Sequence, residues 1–359
     1  MSEITIIGAG YAGILSAIAF WRQGHKVTLV GPELKSLGRT FSLLYGTTLA
    51  LKSLLDDPDL NIGLKVDTLK LKHQHRWGDL SIHAKDYDMP FLLGSISENS
   101  LLAQINLFIH QKTNIEWIYQ TSKAINIQNH SVDIENKTLS YDHLIACDGA
   151  HSKTRMTANF IAHHIDPATQ TSLQVAEIHH AGSIARQIFA ENQVFAHVPL
   201  SETSIAFYAT TYDPQPHPWH AENPLQNYIQ QTGFQAISLS PLVQFQSPNH
   251  LYPALNSQVL LMGEAAISQG PVGAQGINGI ITDLGILLAH PSIESAASSL
   301  DAIRNKRYRI NQLTRHAALM HIGILVQGFI PPINDFVMHN MLWGGQKTAL
   351  HEGLQLWDR

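Results

Sequence analysis

One cysteine, Cys147, stands alone in 359 residues. An intramolecular disulfide and a cysteine-rich zinc site are thereby excluded, and a reducing compartment is expected. Charge is scarce too: Asp, Glu, Lys and Arg make up 14% of the chain, against roughly 25% in ordinary soluble domains. With 23 basic and 28 acidic side chains the formal charge is −5, a balance that argues against a nucleic-acid partner. Long apolar runs are absent. The longest candidate, residues 317–330, is broken by His321 and Gln327 and closed by Pro331 and Pro332, too short to span a bilayer as a helix. Residues 1–7 run directly into Gly8 without the pattern of a secretory leader, so none is expected. The 21 histidines include no His-Glu-x-x-His run, and the pairs His163–His164 and His179–His180 cannot share one helix face; no metal site is expected.

What is present is organised around short apolar strands. Residues 3–7 read as a strand, 14–23 as a helix and 26–30 as a second strand, a β-turn-α-β unit. Helical spacing recurs at Leu101, Leu102, Ile105, Phe108 and Ile109, with Ser97 or Asn99 as cap. Residues 115–119, 123–128, 132–134 and 141–147 read as strands, the last ending at Asp148-Gly149. From about 172 to 245 the character changes to short β-like runs (173–178, 194–199, 204–210) separated by polar and Pro-rich stretches such as 213–218. This predicts a mostly β domain inserted into an α/β one. Residues 258–262 return to a strand ending in Gly263-Glu264, and a helix is expected over 278–288.

Three segments carry chemistry. Gly8-x-Gly10-x-x-Gly13 lies between a strand and a helix. There the first glycine makes the turn, the second admits a pyrophosphate, and the third lets helix and strand pack closely. The helix N-terminus adds unpaired N–H groups and partial positive charge. The acid that binds the adenosine ribose should end the second strand near position 31; Gly31 stands there, and Glu33 is the nearest substitute. The segment Asp148-Gly149-Ala-His-Ser152-Lys-Thr-Arg155 resembles the Asp-Gly motif of flavoprotein monooxygenases. The segment from Gly263-Glu264 through Pro271, Gly273, Gly276, Ile277 and Asn278 to Asp283 resembles their Gly-Asp motif with the loop and helix that follow. Glu264 stands where that family usually carries Asp, and Gly270 where it often carries His.

The resemblance narrows further. Gly38-Arg39 through Gly46-Thr47, Lys85-Asp86-Tyr87, Ser97-Glu98-Asn99 and the Arg304–Arg307–Arg309 helix are similar to segments of the ubiquinone-biosynthesis hydroxylases, which act on polyprenylated phenols. Such a likeness implies a Rossmann-like FAD-binding domain of para-hydroxybenzoate hydroxylase type (residues 1–75, 96–170 and 250–300). It also implies a β-rich substrate domain (76–95 and 171–249) and C-terminal helices (301–359). Implied cofactor contacts are Gly8, Gly10, Ala12, Gly13, Glu33, Arg39, Asp148, Gly149, Gly263, Glu264, Pro271, Gly273, Gly276, Ile277 and Asn278. The activity implied is hydroxylation of an aromatic ring through a flavin C4a-hydroperoxide, with FAD as cofactor and NAD(P)H as electron donor. The flavin would carry the chemistry, which accounts for the lack of a nameable acid–base constellation. Phe195, Phe207 and Tyr208 are candidates for the substrate pocket, with plain core packing as the alternative. Expected partners are a hydrophobic aromatic small molecule, a membrane surface touched peripherally and a biosynthetic complex; the expected location is the cytoplasm and the inner membrane face. Two other readings compete: a flavin monooxygenase of another aromatic metabolite, and a non-catalytic scaffold.

Overall fold

Alternation along the first strand decides how the central sheet is covered. In Glu3–Ile7, Ile4 and Ile6 join one apolar cluster and Ile7 joins another on the opposite face, as a strand buried on both sides requires. The computed structural model describes residues 2–73, 79–190, 192–212 and 224–319. The 213–218 stretch, and the apolar segment 317–330 from residue 320 onward, lie outside the described residues. The helices are α1 (Tyr11–Arg22), α2 (Tyr45–Leu54), α3 (Glu98–Lys112), α4 (Lys153–Thr157), α5 (Pro224–Thr232), α6 (Gln275–Ala289) and α7 (Ile293–Leu319).

The central sheet has six strands in the order Leu255–Asn256, Val259–Leu261, His143–Ala146, Glu3–Ile7, Lys26–Val30, Glu116–Ile118. All pair in parallel except the first two. Helices α1, α3, α6 and α7 cover one face, with Leu15, Ile18, Ile105, Leu284 and Leu300 in a shared core. A three-stranded sheet (Ala124–Asn126, Ser131–Ile134, Lys137–Ser140) covers the other through Val132, Ile134 and Leu139. Helix α1 is apolar nearly all round because it is enclosed: residues 12–20 are all buried. Ser97 caps α3, its Oγ accepting from Ser100 N at 3.1 Å.

A nine-stranded sheet forms the second layer of the molecule. It is built on the long strand His164–Ile178, flanked by Ser204–Thr211 and by Val243–Leu251. Three corrections to the expected boundaries follow from its pairing. Thr68–His73, placed on the nucleotide side of a boundary at 75, pairs in parallel with Ile184–Ala190 in this sheet. The central strand already begins at His164, before the expected boundary at 171. Leu93–Ser97, which straddles the expected boundary at 95, pairs with Thr40–Leu44 and Lys65–Val66 in a separate three-stranded sheet. Partner choice assigns a strand to its sheet, and that is a long-range property. On the outer face of the large sheet, Phe207 and Phe195 pack against Tyr228 of α5, with Phe195 4.9 Å from it between ring centroids.

Among the described residues no helix is long and apolar enough to cross a membrane.

Candidate functional site

The turn between Glu3–Ile7 and α1 is built by clearance. Gly8 has φ +102° and its N–H donates to Val30 O at 2.8 Å. A Cβ there would strike the Cys147 carbonyl, and one at Gly13 would fall on the Gly8 carbonyl oxygen. Gly10, the N-cap of α1 with φ −77°, differs: a Cβ there meets nothing within 4 Å. The helix start therefore opens onto free space, with no acidic residue in its first turn to occupy it. Gly31 presses on the same turn, a Cβ there lying 2.6 Å from Ala9 N. That is why the strand end carries no acid: a side chain would collide with the glycine loop. Glu33 is exposed and makes no hydrogen bond or ion pair among the described residues.

The second and third motifs close on this turn. Gly263 has φ +59°, and a Cβ there would lie 2.6 Å from the Ala12 Cβ of α1. Asp148, an expected cofactor contact, bonds within its own loop. It accepts from Ser152 Oγ, and from Thr154 N and Oγ1 at 3.0 Å each, which seats α4 as an N-terminal carboxylate does. Gly149 has φ +82° and open space at its Cβ position. Arg155, buried, donates to Ala265 O at 2.9 Å and Ala150 O at 2.8 Å and lies 4.2 Å over the Tyr252 ring. It thus fastens the Asp148-Gly149 turn to the Gly263-Glu264 turn. His250 Nε2 donates to the Glu264 carbonyl at 2.8 Å. The Glu264 side chain itself makes no hydrogen bond among the described residues. Burial pushes its carboxyl above the ordinary range, against the pull of Arg39 and His151.

Helix α6 starts at Gln275, three residues before the expected start. Pro271 and Ala274 form the preceding turn (Ala274 N to Pro271 O, 3.1 Å), with Gly273 at φ +76° and Ala274 at φ +53°. Gly276 has open space at its Cβ position, and Ile277 is buried in the main core. The Asn278 side chain is committed to backbone. Its Oδ1 accepts from Leu44 N at 3.0 Å, and its Nδ2 donates to Ser42 O at 2.9 Å and Ala274 O at 2.6 Å. The side chain bolts the Thr40–Leu44 strand to the α6 cap and points at backbone rather than at open space.

Arg39 and an unforeseen partner complete the rim. Glu98 is fully buried at the start of α3. It accepts from Arg39 Nη2 at 2.6 Å, Leu37 N at 2.6 Å, Arg39 N at 3.2 Å and Tyr11 Oη at 3.1 Å. One carboxylate thus ties the 36–39 loop to α1 and α3. Burial opposes its ionisation, but the hydrogen bonds from Arg39 and Leu37 prevail and hold its carboxyl at about 2, below the ordinary 4.5. A lowered folded-state value stabilises above the unfolded value and loses that stabilisation as pH falls through the folded one. The native chain should lose roughly 3 kcal/mol between pH 5 and pH 2 through this group. A Glu98→Gln chain should lack that portion of the decline; urea unfolding at stepped pH measures it.

The residues present fit a dinucleotide at one end and a polyol chain near Glu264. Two helix N-termini, α1 and α6, face open space, and the Gly10, Gly149 and Gly276 positions are clear of protein atoms. For the adenosine ribose, Glu33 is the acid nearest the strand end, exposed and without a partner among the described residues. Among the described residues no group of three His, Cys, Asp or Glu side chains is placed to hold a metal.

A family model described as FAD binding domain matches residues 102–316, more than half of the chain. The chain belongs to that family. Kynurenine 3-monooxygenase of Saccharomyces cerevisiae is 32% identical over 186 residues, an alignment that spans 43% of this chain and 38% of that relative. Among solved structures, p-nitrophenol 4-monooxygenase of Pseudomonas putida has a TM-score of 0.70 at 15% identity, covering 99% of this chain and 98% of the other. The 2-methyl-3-hydroxypyridine-5-carboxylic acid oxygenase also gives 0.70, at 16% identity over 95% and 98%. Klebsiella pneumoniae HpxO, solved with FAD and uric acid, gives 0.65 at 15% identity over 99% and 96%. The fold is that of the FAD-dependent aromatic hydroxylases, and the cofactor is FAD.

Proposed function

We propose that this chain is a flavin-dependent monooxygenase that hydroxylates an apolar aromatic ring. The observation that carries the reading is the inner face of the large sheet. Gly270, at the start of the cofactor loop, lies against this face: a Cβ there would sit 2.8 Å from Thr169 Oγ1 and 3.5 Å from Thr210. On the same face as those threonines the register places Leu173, Tyr208, Val243 and Phe245. A ring lying between that face and the loop would meet apolar and hydroxyl groups and no charge. Of the three aromatic candidates, Tyr208 is thus retained; Phe195 and Phe207 belong to the outer core.

Bound FAD supplies the redox chemistry, in which one O₂ and one NAD(P)H with a proton convert the ring C–H to C–OH and release water and NAD(P)⁺. The protein's own part is to orient and to exclude water. Gly10 and the α1 start would hold the pyrophosphate, Glu264 would accept from ribityl hydroxyls, and the 271–276 turn would offer peptide N–H groups. Glu264→Ala should weaken FAD by about 1–3 kcal/mol, read by flavin fluorescence titration. Glu264→Asp should retain it.

A polyprenylated phenol is the substrate we favour. Val243 is 51% and Phe245 38% exposed on the open edge of the inner face, and Leu242 continues the apolar tract. A tail can run along that edge, and peripheral contact with a membrane would deliver it. The test is NAD(P)H oxidation by the FAD-loaded protein with a prenylated phenol, an unprenylated phenol, kynurenine and p-nitrophenol. A product heavier by one oxygen from the prenylated phenol supports the reading; turnover of the small polar rings alone overturns it.

A further inference from the structure

The α6–α7 contact holds an unbalanced charge. Asp283 accepts from Arg304 Nε at 2.8 Å and also from Arg307 Nη2. Asp283 and Arg304 are fully buried, and only 10% of the Arg307 side chain is exposed. Two guanidinium groups thus share one carboxylate, and neither pairs with a second acid among the described residues. Among the described residues one positive charge is thus left over, and an uncompensated buried charge is strongly unfavourable. Arg304 Nη1 and Arg307 Nε are also buried and have no hydrogen-bond partner among the described residues.

Beside Arg307 lies a cavity of about 20 Å³, walled by Gln269, Asn311 and Thr314 with Val272 and Ile310. Gln269 Oε1 and Asn311 Oδ1 are also buried and unpartnered among the described residues. A carboxamide turned end for end presents its NH₂ where the oxygen stood, and so becomes a donor to a guest in the cavity. The volume takes one guest of about water size. Water would satisfy hydrogen bonds but leave the charge, whereas a monatomic anion of similar size answers both.

We propose that this cavity binds a halide-sized monovalent anion, held by the Arg307 guanidinium and by the carboxamides of Gln269 and Asn311. It stands apart from the FAD reading, since it rests on the charge count and the unpartnered atoms alone. Gln269 and Val272 belong to the cofactor loop, so the anion would also fasten that loop to α7.

The probe is bromide. Crystals of the FAD-loaded protein grown in potassium bromide should give an anomalous peak in the cavity, within hydrogen-bond distance of Arg307 Nε. In solution, the melting midpoint in potassium chloride should exceed that in potassium gluconate of equal ionic strength by roughly 3 °C, the scale of saturating binding to the folded state of a chain this long. Asn311→Leu, which fills the cavity with an uncharged side chain, should remove the difference, as should Arg307→Gln. A water alone in the cavity of bromide-grown crystals, or equal midpoints in the two salts, overturns the proposal. If both variants fail to fold, the bromide crystal of the native chain still decides it.

Discussion

A Gly10→Val chain should fold normally and bind FAD at least about 100-fold more weakly. Gly10 has an ordinary backbone, φ −77°, and a Cβ there meets nothing within 4 Å. The protein alone therefore tolerates a side chain, and the melting midpoint of the apoprotein should not move. The room it fills lies in front of the α1 N–H groups, where a pyrophosphate must approach backbone directly. Gly8 and Gly13 behave differently because their Cβ positions are already taken by the Cys147 and Gly8 carbonyls. Gly13→Val should yield misfolded or insoluble chain. Calorimetry of the Gly10 variant with and without FAD separates the two effects; unchanged affinity would place the pyrophosphate elsewhere.

Asp283→Ala should be the most damaging single truncation away from the cofactor loop, costing about 3–5 kcal/mol. It leaves Arg304, fully buried, with its Nε unpaired, and strands Arg307 beside it. Arg304 cannot swing to solvent, because its Nη2 donates to Leu261 O at 2.9 Å behind the central sheet. Gly279 allows no retreat either, since a Cβ there would already lie 2.5 Å from Arg307 Nη1. Chemical denaturation should show the loss without a change in slope, as expected for a native-state defect.

The strands 3–7 and 26–30 could be read to the residue because both sheet faces are buried and the glycine turn brackets them. Ser97, one of two candidate caps, is the one that bonds to the helix. The cofactor motifs were legible as backbone geometry and less so as side chains. Asp148 and Asn278 sit at the motif positions, yet their oxygens and nitrogens are used up on α4 and on Ser42, Leu44 and Ala274. Short polar side chains beside a turn find neighbouring backbone first, and no spacing rule distinguishes that from a ligand contact. Glu98 was visible as part of Ser97-Glu98-Asn99, but its burial depends on a loop 59 residues away, Arg39. The sheet membership of Thr68–His73 was hidden for the same reason: its partner, Ile184–Ala190, is remote along the chain.

The strand order of the central sheet also sets a timetable for synthesis. Glu3–Ile7 leaves the ribosome well before its neighbour His143–Ala146, and Val259–Leu261 follows later still. Until then one edge of each strand has unpaired backbone groups, a state prone to wrong pairing. Loops of this length also slow the closing step. The glycine turn at Gly8 leans on Cys147, and α1 leans on Gly263, so the nascent chain cannot hold its nucleotide pocket in final form before Gly263 has been made. A release experiment with stalled chains should find flavin captured only once α6 has cleared the exit tunnel, which makes cofactor supply a late event in the maturation of this protein.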